Sequence, residues 1–98
     1  LLGAATAAAL DGDFSVLMEE RVFEPLGLSH SFMQWPDQTG PNFAWGYDGG
    51  DNPIRARIAP ASAEAYGVKT SADDLLALLE AFIDPMRITG KALQKAFR

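Results

Sequence analysis

The chain has 98 residues, 48% of them hydrophobic, which is enough for one small domain but not for two. Its formal net charge of -5 at pH 7 argues against nucleic acid or an anionic membrane surface as a partner. Cysteine is absent and the single histidine, His30, cannot form a metal site alone, so the sequence predicts neither thiol chemistry nor a metal centre.

An apolar run over 1–10 predicts the first helix, and the absence of a basic segment or initiating Met before it indicates a helix cut at its start. Asp13 is the expected N-cap of the second helix, 14–23, in which apolar residues recur at helical spacing. Pro25 is expected to end this helix, and Gly27 is expected to adopt a positive φ in the turn that follows.

The middle of the chain is predicted to be extended. Residues 29–36 are compatible with a short strand, and 43–58 predicts a β-hairpin because aromatic and β-branched residues flank a Gly-rich turn. A lone hairpin is only marginally stable in water, so we expect it to lie against other elements. Residues 59–69, rich in small side chains, are expected to form a loop.

Ser71 is the predicted N-cap of the third helix, 72–83, with an acidic residue three positions later completing a capping box. Apolar residues cover a broad arc of this helix, which indicates burial on more than one side. Thr89 is the predicted cap of the last helix, 90–98, which stops without a terminating residue. We therefore interpret both ends of the chain as cuts.

The predicted fold is mainly α with a small β-hairpin, forming a single partial domain over 1–98. No G-x-S-x-G turn occurs, and His30 is interpreted as a surface or packing histidine because sequence neighbours point in different directions. The string Lys69-Thr70-Ser71 has the first two members of a Lys-Thr-Gly triad, but Ser71 fits a helix cap better. We predict no catalytic residue and no cofactor.

Two further groups could contact a ligand. Asp48 and Asp51 flank two glycines, but the spacing of a calcium-binding loop is missing, so a solvated hairpin turn is predicted. Aromatic side chains offer large contact area at little entropic cost, yet most are expected in a core. Tyr66 is the exception, because its loop of small residues lacks core periodicity; the other aromatic candidates are Trp35, Trp45 and Tyr47.

Three segments occur in a recognisable order: RVFEPLGLSHS at 21–31, FAWGY at 43–47 and AEAYGVKTSADD at 63–74. Together they resemble the class C β-lactamases and their relatives, the family VIII esterases and the penicillin-binding D-peptidase homologues. The resemblance implies that the chain is an internal fragment of the mainly helical domain of the serine β-lactamase-like fold. It is more specific for the family than for one activity within it.

The resemblance also implies a chemistry: a serine is acylated by a β-lactam or an ester, and the acyl-enzyme is then hydrolysed. The family's Ser-x-x-Lys and Tyr-x-Asn motifs would lie before Leu1 and its Lys-Thr-Gly motif after Arg98, and none of the three occurs in this sequence. Tyr66 matches the family's loop tyrosine, which lines the pocket beside the substrate's acyl side chain. The segment 35–66 resembles the Ω-like loop region that bounds this pocket.

The sequence therefore predicts a fragment that supplies substrate-pocket walls and is inactive alone. An alternative is a standalone helical module that binds or self-associates, for example as a homodimer, through the face that the missing sheet would cover. A third is one piece of a split enzyme that associates with the missing parts of the fold. The family is commonly exported to the periplasm, and only the resemblance implies that compartment here.

Overall fold

The computed structural model of the chain describes residues 1–35, 40–55 and 62–97. Within these ranges the predicted mainly α fold with one small antiparallel hairpin is confirmed. No helix there is long and apolar enough to cross a membrane. The elements are α1 (Leu2–Ala9), α2 (Phe14–Met18), α3 (Glu24–Leu26), β1 (Gly46–Tyr47), β2 (Pro53–Ile54), α4 (Ala63–Tyr66), α5 (Ala72–Ile83) and α6 (Lys91–Ala96).

A π-helical segment, Glu19–Phe23, joins α2 to α3, so that helical backbone continues from 14 to 26. The prediction that Pro25 ends the helix is therefore wrong. The π segment shifts the hydrogen bonds from i−4 to i−5, and Pro25 enters at the first turn of α3, where a missing N–H is tolerated. Gly27 ends the helix with φ 71°, the positive φ that the sequence predicts.

The core lies between this long helix and the chain that follows it. Phe23, Leu28 and Met33 form a buried cluster, in which the Met33 side chain is only 1% exposed. Burial of side chains of this size stabilises a fold by about 1.5–3 kcal/mol each. The partly buried residues packed around the cluster come from α2, the π segment, α3, α4 and α5: Phe14, Met18, Val22, Leu26, Ala63 and Ala77.

The extended middle of the chain contains less sheet than the sequence predicts. Over 29–35 the only described pairing is an isolated antiparallel bridge between Phe32 and Lys69. The hairpin has two residues in each strand, with Gly46 opposite Ile54 and Tyr47 opposite Pro53; the predicted end of the hairpin, 56–58, lies outside the described residues.

The predicted loop over 59–69 is wrong at 63–66, where α4 forms, and 59–61 lie outside the described residues. Two alanines and Glu64 are strong helix formers, and they outweigh the small-residue composition that indicates a loop. The N-terminal ammonium of Leu1 donates a 2.7 Å hydrogen bond to Oε1 of Glu64, so α4 lies against the start of α1. Gly67, directly after α4, is buried.

The helix α5 has the predicted bounds, and Ser71 caps it by accepting a 3.2 Å hydrogen bond from the N–H of Asp74. The predicted burial on more than one side is wrong, because the described part of the chain covers only a narrow strip that includes Asp74 and Ala81. The remaining apolar face is between 50% and 84% exposed at Leu75, Leu76, Leu79, Phe82 and Ile83.

The last helix, α6, begins one residue later than predicted. Gly90 is its N-cap and no side chain caps it, so the predicted cap at Thr89 is wrong. Thr89 instead donates its backbone N–H to the carbonyl of Pro25 over 3.5 Å. The rings of Phe82 and Phe97 stack with their centroids 4.5 Å apart, which ties α6 to α5, and Arg98 lies outside the described residues.

Candidate functional site

A buried polar network fastens the chain after the long helix to the start of α5. Asp74 is 5% exposed, and its Oδ2 accepts hydrogen bonds from Oγ of Ser31 at 2.6 Å and from the backbone N–H of His30 at 2.8 Å. Oγ of Ser31 also lies 2.7 Å from Oγ1 of Thr70. A buried carboxylate is tolerated where hydrogen bonds replace its hydration. Ser31 is itself only 6% exposed, and its hydroxyl is engaged in this network.

The imidazole of His30 is directed elsewhere. His30 is exposed, as predicted for a surface histidine, and its Nδ1 lies 3.4 Å from Oγ of its neighbour Ser29. Its contribution to the buried network is the backbone N–H alone. Among the described contacts, His30 therefore helps to hold Asp74 through its backbone N–H.

Lys69 joins two segments beside this network. Its backbone N–H and C=O pair with those of Phe32 at 2.8 and 2.7 Å, and its Nζ donates to the carbonyls of Met33 at 2.7 Å and Gly67 at 2.9 Å. Burial lowers the pKa of the Lys69 ammonium. Both bonds of Nζ hold backbone in place. The interpretation of Ser71 as a helix cap is confirmed.

A cleft of about 610 Å³ opens between this bridge and the hairpin, which is within the size range of small-molecule sites. Its aromatic wall is formed by Phe32, Trp35 and Phe43, whose neighbouring rings lie 5.9 Å and 6.2 Å apart. The buried Nε1 of Trp35 has no hydrogen-bond partner among the described residues. The polar lining comes from His30, Asn42, Lys69, Thr70, Ser71 and Asp73.

One cation bridges the hairpin to the aromatic wall. The guanidinium carbon of Arg55 lies 3.7 Å from the ring centroid of Trp45 and 4.1 Å from that of Trp35. Nη1 of Arg55 also donates to the carbonyl of Ala44 over 3.3 Å. Cation–π contacts at these distances are attractive.

The acidic hairpin turn uses its carboxylate on the backbone. Oδ1 of Asp48 accepts hydrogen bonds from the N–H groups of Gly50 at 2.8 Å and Asn52 at 3.0 Å, and these donors, Asn52 first, lower the pKa of Asp48. The predicted hairpin turn is confirmed. Within 1–35, 40–55 and 62–97 no group of three or more His, Cys, Asp or Glu side chains is arranged to hold a metal ion.

Tyr66 ends α4 and is 55% exposed, outside the set of residues that lines the cleft. Its helix is fixed on both sides. Glu64 contacts the start of α1, where a Cβ on the buried Gly3 would lie 2.6 Å from Oε2 of Glu64. On the other side, a Cβ on Gly67 would lie 2.9 Å from Cε of Met33. A substrate-binding role for Tyr66 stays a prediction.

Sequence reasoning missed the two groups that organise this region. Ser31 and Asp74 are 43 positions apart, and no local pattern reveals such a pair; the capping box marks Asp74 only as a helix residue. Arg55 has a weak signal, because the hairpin register places it opposite Trp45. The additional contact of Arg55 with Trp35 depends on tertiary structure.

Comparisons with known proteins agree with this architecture. The sequence model of the Beta-lactamase family matches residues 1–97. A β-lactamase of Pseudomonas fluorescens is 38% identical over 96 residues, covering 98% of this chain and 26% of that protein. A β-lactamase of Escherichia coli K12 is 33% identical over 98 residues, covering 100% of this chain and 26% of that protein.

Solved structures give the same result. A class C β-lactamase superposes with a TM-score of 0.83 at 30% identity, covering 98% of this chain and 27% of that one. A β-lactamase/D-alanine carboxypeptidase from Pseudomonas syringae has a TM-score of 0.77 at 35% identity with the same coverage. The chain thus spans about a quarter of the length of these relatives, and the predicted likeness to the helical part of their fold is confirmed. The chain belongs to the β-lactamase family.

Proposed function

We propose that the chain is a segment of the helical domain of a serine hydrolase acting on β-lactams or related acyl compounds, and that it supplies walls of the substrate pocket. In this proposal the nucleophilic serine and its proton-transfer partners belong to other parts of the family fold. The chain's own contribution is shape: an exposed tyrosine on α4 and a hairpin that bounds the pocket.

The observation that supports this proposal is the docking of α4 on the start of α1. A Cβ on Gly3 would lie 2.6 Å from Oε2 of Glu64, and this close approach brings the helix of Tyr66 beside the first residues of the chain. The family resemblance puts the Tyr-x-Asn motif just before Leu1. Tyr66 would then lie close to catalytic groups, where its ring can contact the acyl side chain of a substrate.

The substrate class is proposed from the relatives. Their names include β-lactamase and D-alanine carboxypeptidase, and both activities are attack on a carbonyl bonded to nitrogen. A serine hydroxyl adds to that carbonyl, the C–N bond breaks with protonation of the nitrogen, and water then cleaves the acyl ester. Pocket walls favour this chemistry by holding the acyl side chain while the carbonyl is positioned elsewhere.

This proposal predicts that the chain alone is catalytically silent, because the sequence contains neither Ser-x-x-Lys nor Tyr-x-Asn. The purified chain is incubated with nitrocefin and with p-nitrophenyl esters, with a boiled sample as the control. We expect no hydrolysis above that control and no acyl adduct by mass spectrometry. Turnover together with an adduct on one of the chain's own serines would contradict the proposal.

A second candidate function is a helical module that self-associates. It is favoured by the exposed apolar face of α5, which extends over about two and a half turns from Leu75 to Ile83. Sedimentation velocity over a wide concentration range tests it, since self-association through this face predicts a homodimer that Leu79→Glu dissociates. A folded monomer at the highest concentration would count against this module.

A further inference from the structure

We propose that Arg55 is a positioning residue that holds the hairpin against the helical body by bridging Trp45 to Trp35. We call these three residues the hairpin clamp. The inference rests on the proposed function, in which the hairpin bounds the substrate pocket, and it identifies the residue that fixes where this wall lies.

Arg55 lies across from Trp45 in the hairpin. Gly46 pairs with Ile54 and Tyr47 with Pro53, so the same register continued by one residue sets Trp45 opposite Arg55 at the open end of the hairpin. The guanidinium carbon of Arg55 lies 3.7 Å from the Trp45 ring centroid. Arg55 therefore closes the hairpin through a cross-strand cation–π pair.

Arg55 also connects the hairpin to the helical body. The Arg55 guanidinium also lies 4.1 Å from the Trp35 ring centroid. Trp35 is two residues beyond Met33, the most deeply buried side chain of the core, and three beyond Phe32, which forms the bridge to Lys69. Trp35 thus belongs to the helical body, and Arg55 contacts its ring from the hairpin.

Few other described contacts hold this hairpin against the helical body. Its strands have two residues each and are exposed, and a hairpin of that size is marginally stable by itself. The ring of Phe43 lies 6.2 Å from that of Trp35 and supports the first strand, but only Arg55 among the described contacts connects the returning strand to the body's aromatic wall. Arg55 also holds the first strand through its 3.3 Å hydrogen bond to the carbonyl of Ala44.

The chemistry of arginine suits this role. A planar guanidinium can lie over an aromatic ring while its N–H groups donate in the plane, whereas a lysine ammonium is a compact, strongly hydrated charge. Arg55→Lys is accordingly expected to retain only part of the attraction between this side chain and the two tryptophan rings. The sequence offers a matched arginine elsewhere: Arg87 is exposed and forms a 3.5 Å surface ion pair with Glu80, away from both tryptophans.

The test uses the 98-residue chain itself and compares wild type with Arg55→Ala, Arg55→Lys and the control Arg87→Ala. Hydrogen exchange is measured for the hairpin amides over 46–54 and for α5. We expect Arg55→Ala to accelerate hairpin exchange about fivefold to tenfold and to leave α5 unchanged. Arg55→Lys should give an intermediate acceleration, and Arg87→Ala should match wild type at the hairpin.

Tryptophan fluorescence supplies an independent signature, because both tryptophans of the chain belong to the clamp. Arg55→Ala should increase acrylamide quenching, with the far-UV circular dichroism unchanged. Trp45→Leu removes the other half of the cross-strand pair without changing the charge of the chain. It should also accelerate hydrogen exchange in the hairpin. The test therefore does not depend on one variant folding. The double variant should exchange little faster than Arg55→Ala alone, since that substitution already removes the contact with Trp45.

Unchanged hairpin exchange in Arg55→Ala and Trp45→Leu would overturn the clamp, and so would equal acceleration of the hairpin and α5. Neither readout needs a substrate. A failure of the proposed function therefore appears as substrate hydrolysis by the chain alone, whereas a failure of the clamp appears in hairpin exchange alone.

Discussion

Oγ of Ser31 donates a 2.6 Å hydrogen bond to the buried Oδ2 of Asp74, across 43 positions of sequence. The same carboxylate oxygen accepts the backbone N–H of His30, so one side chain holds both the entry to the extended segment and the first turn of α5. This carboxylate acts beside the bridge between Phe32 and Lys69, which joins the same two segments.

The first prediction concerns that carboxylate. Asp74→Ala should lower the free energy of unfolding by about 2–3 kcal/mol, because it leaves the Ser31 hydroxyl and the His30 N–H without their acceptor in a site closed to water. Urea denaturation followed by circular dichroism measures the change. The neighbouring Asp73 is exposed, so Asp73→Ala is the matched control and should change stability by less than about 0.5 kcal/mol. Equal effects of the two substitutions would contradict the assigned role of Asp74.

The second prediction is a pH dependence at α4. The hydrogen bond from the Leu1 ammonium, with help from backbone N–H groups including that of Gly3, lowers the pKa of Glu64 from 4.5 to about 2. A carboxyl whose folded pKa is depressed contributes stability above its unfolded pKa and loses it as the pH falls through the folded value. The stability advantage of wild type over Glu64→Gln should therefore be present at pH 6 and decrease between about pH 4.5 and pH 2.

Thermal unfolding of both proteins at several pH values measures that difference. Other carboxylates titrate in the same range, but they are common to the two proteins and cancel in the comparison. An advantage that persists unchanged at pH 2 would show that Glu64 acts through packing and not through its charge.

The third prediction concerns the turn behind Tyr66. A Cβ at Gly67 would lie 2.5 Å from the carbonyl oxygen of Ala63 and 2.9 Å from Cε of Met33. Gly67→Ala should therefore destabilise the fold by about 1–3 kcal/mol, since backbone and core must both shift. Gly49→Ala is the control, because nothing lies within 4 Å of the corresponding Cβ. Similar melting temperatures for the two variants would show that α4 can move without cost.

The elements that a local pattern determines could be predicted from sequence. The capping box at Ser71 gave the start of α5, and Gly27 gave the left-handed end of the long helix. Pro25 does not end the helix, because the π segment before it changes which backbone N–H groups are needed. The exposed face of α5 was mistaken for a buried one because apolar periodicity shows which face seeks a partner, not whether this chain provides it.

The candidate site was less predictable. Tyr66 was identified by resemblance, and its surroundings were assigned to a loop where the structure has a helix. The contacts that fix those surroundings join residues far apart in sequence, such as Leu1 with Glu64 and Trp35 with Arg55. Only the folded backbone brings such pairs together.

The fourth prediction follows from the clamp. When the chain replaces the matching segment of the Pseudomonas fluorescens β-lactamase, Arg55→Ala should raise KM for cephalosporins with bulky acyl side chains by about threefold to tenfold. The value of kcat should change less, because Arg55 acts on the wall and not on the reacting atoms. The control Arg87→Ala should leave both constants at their unsubstituted values. A fall in kcat alone would contradict a positioning role.

The central claim, that this chain forms a substrate-pocket wall containing Tyr66, is tested most directly in the same hybrid by nitrocefin kinetics. We predict that the folded hybrid hydrolyses nitrocefin and that Tyr66→Ala raises KM about tenfold, since an aromatic contact of this kind is worth about 1.4 kcal/mol. Tyr66→Phe, which keeps the ring, should remain close to the unsubstituted hybrid. A folded hybrid without hydrolysis, or a Tyr66→Ala variant with unchanged KM, would contradict the claim.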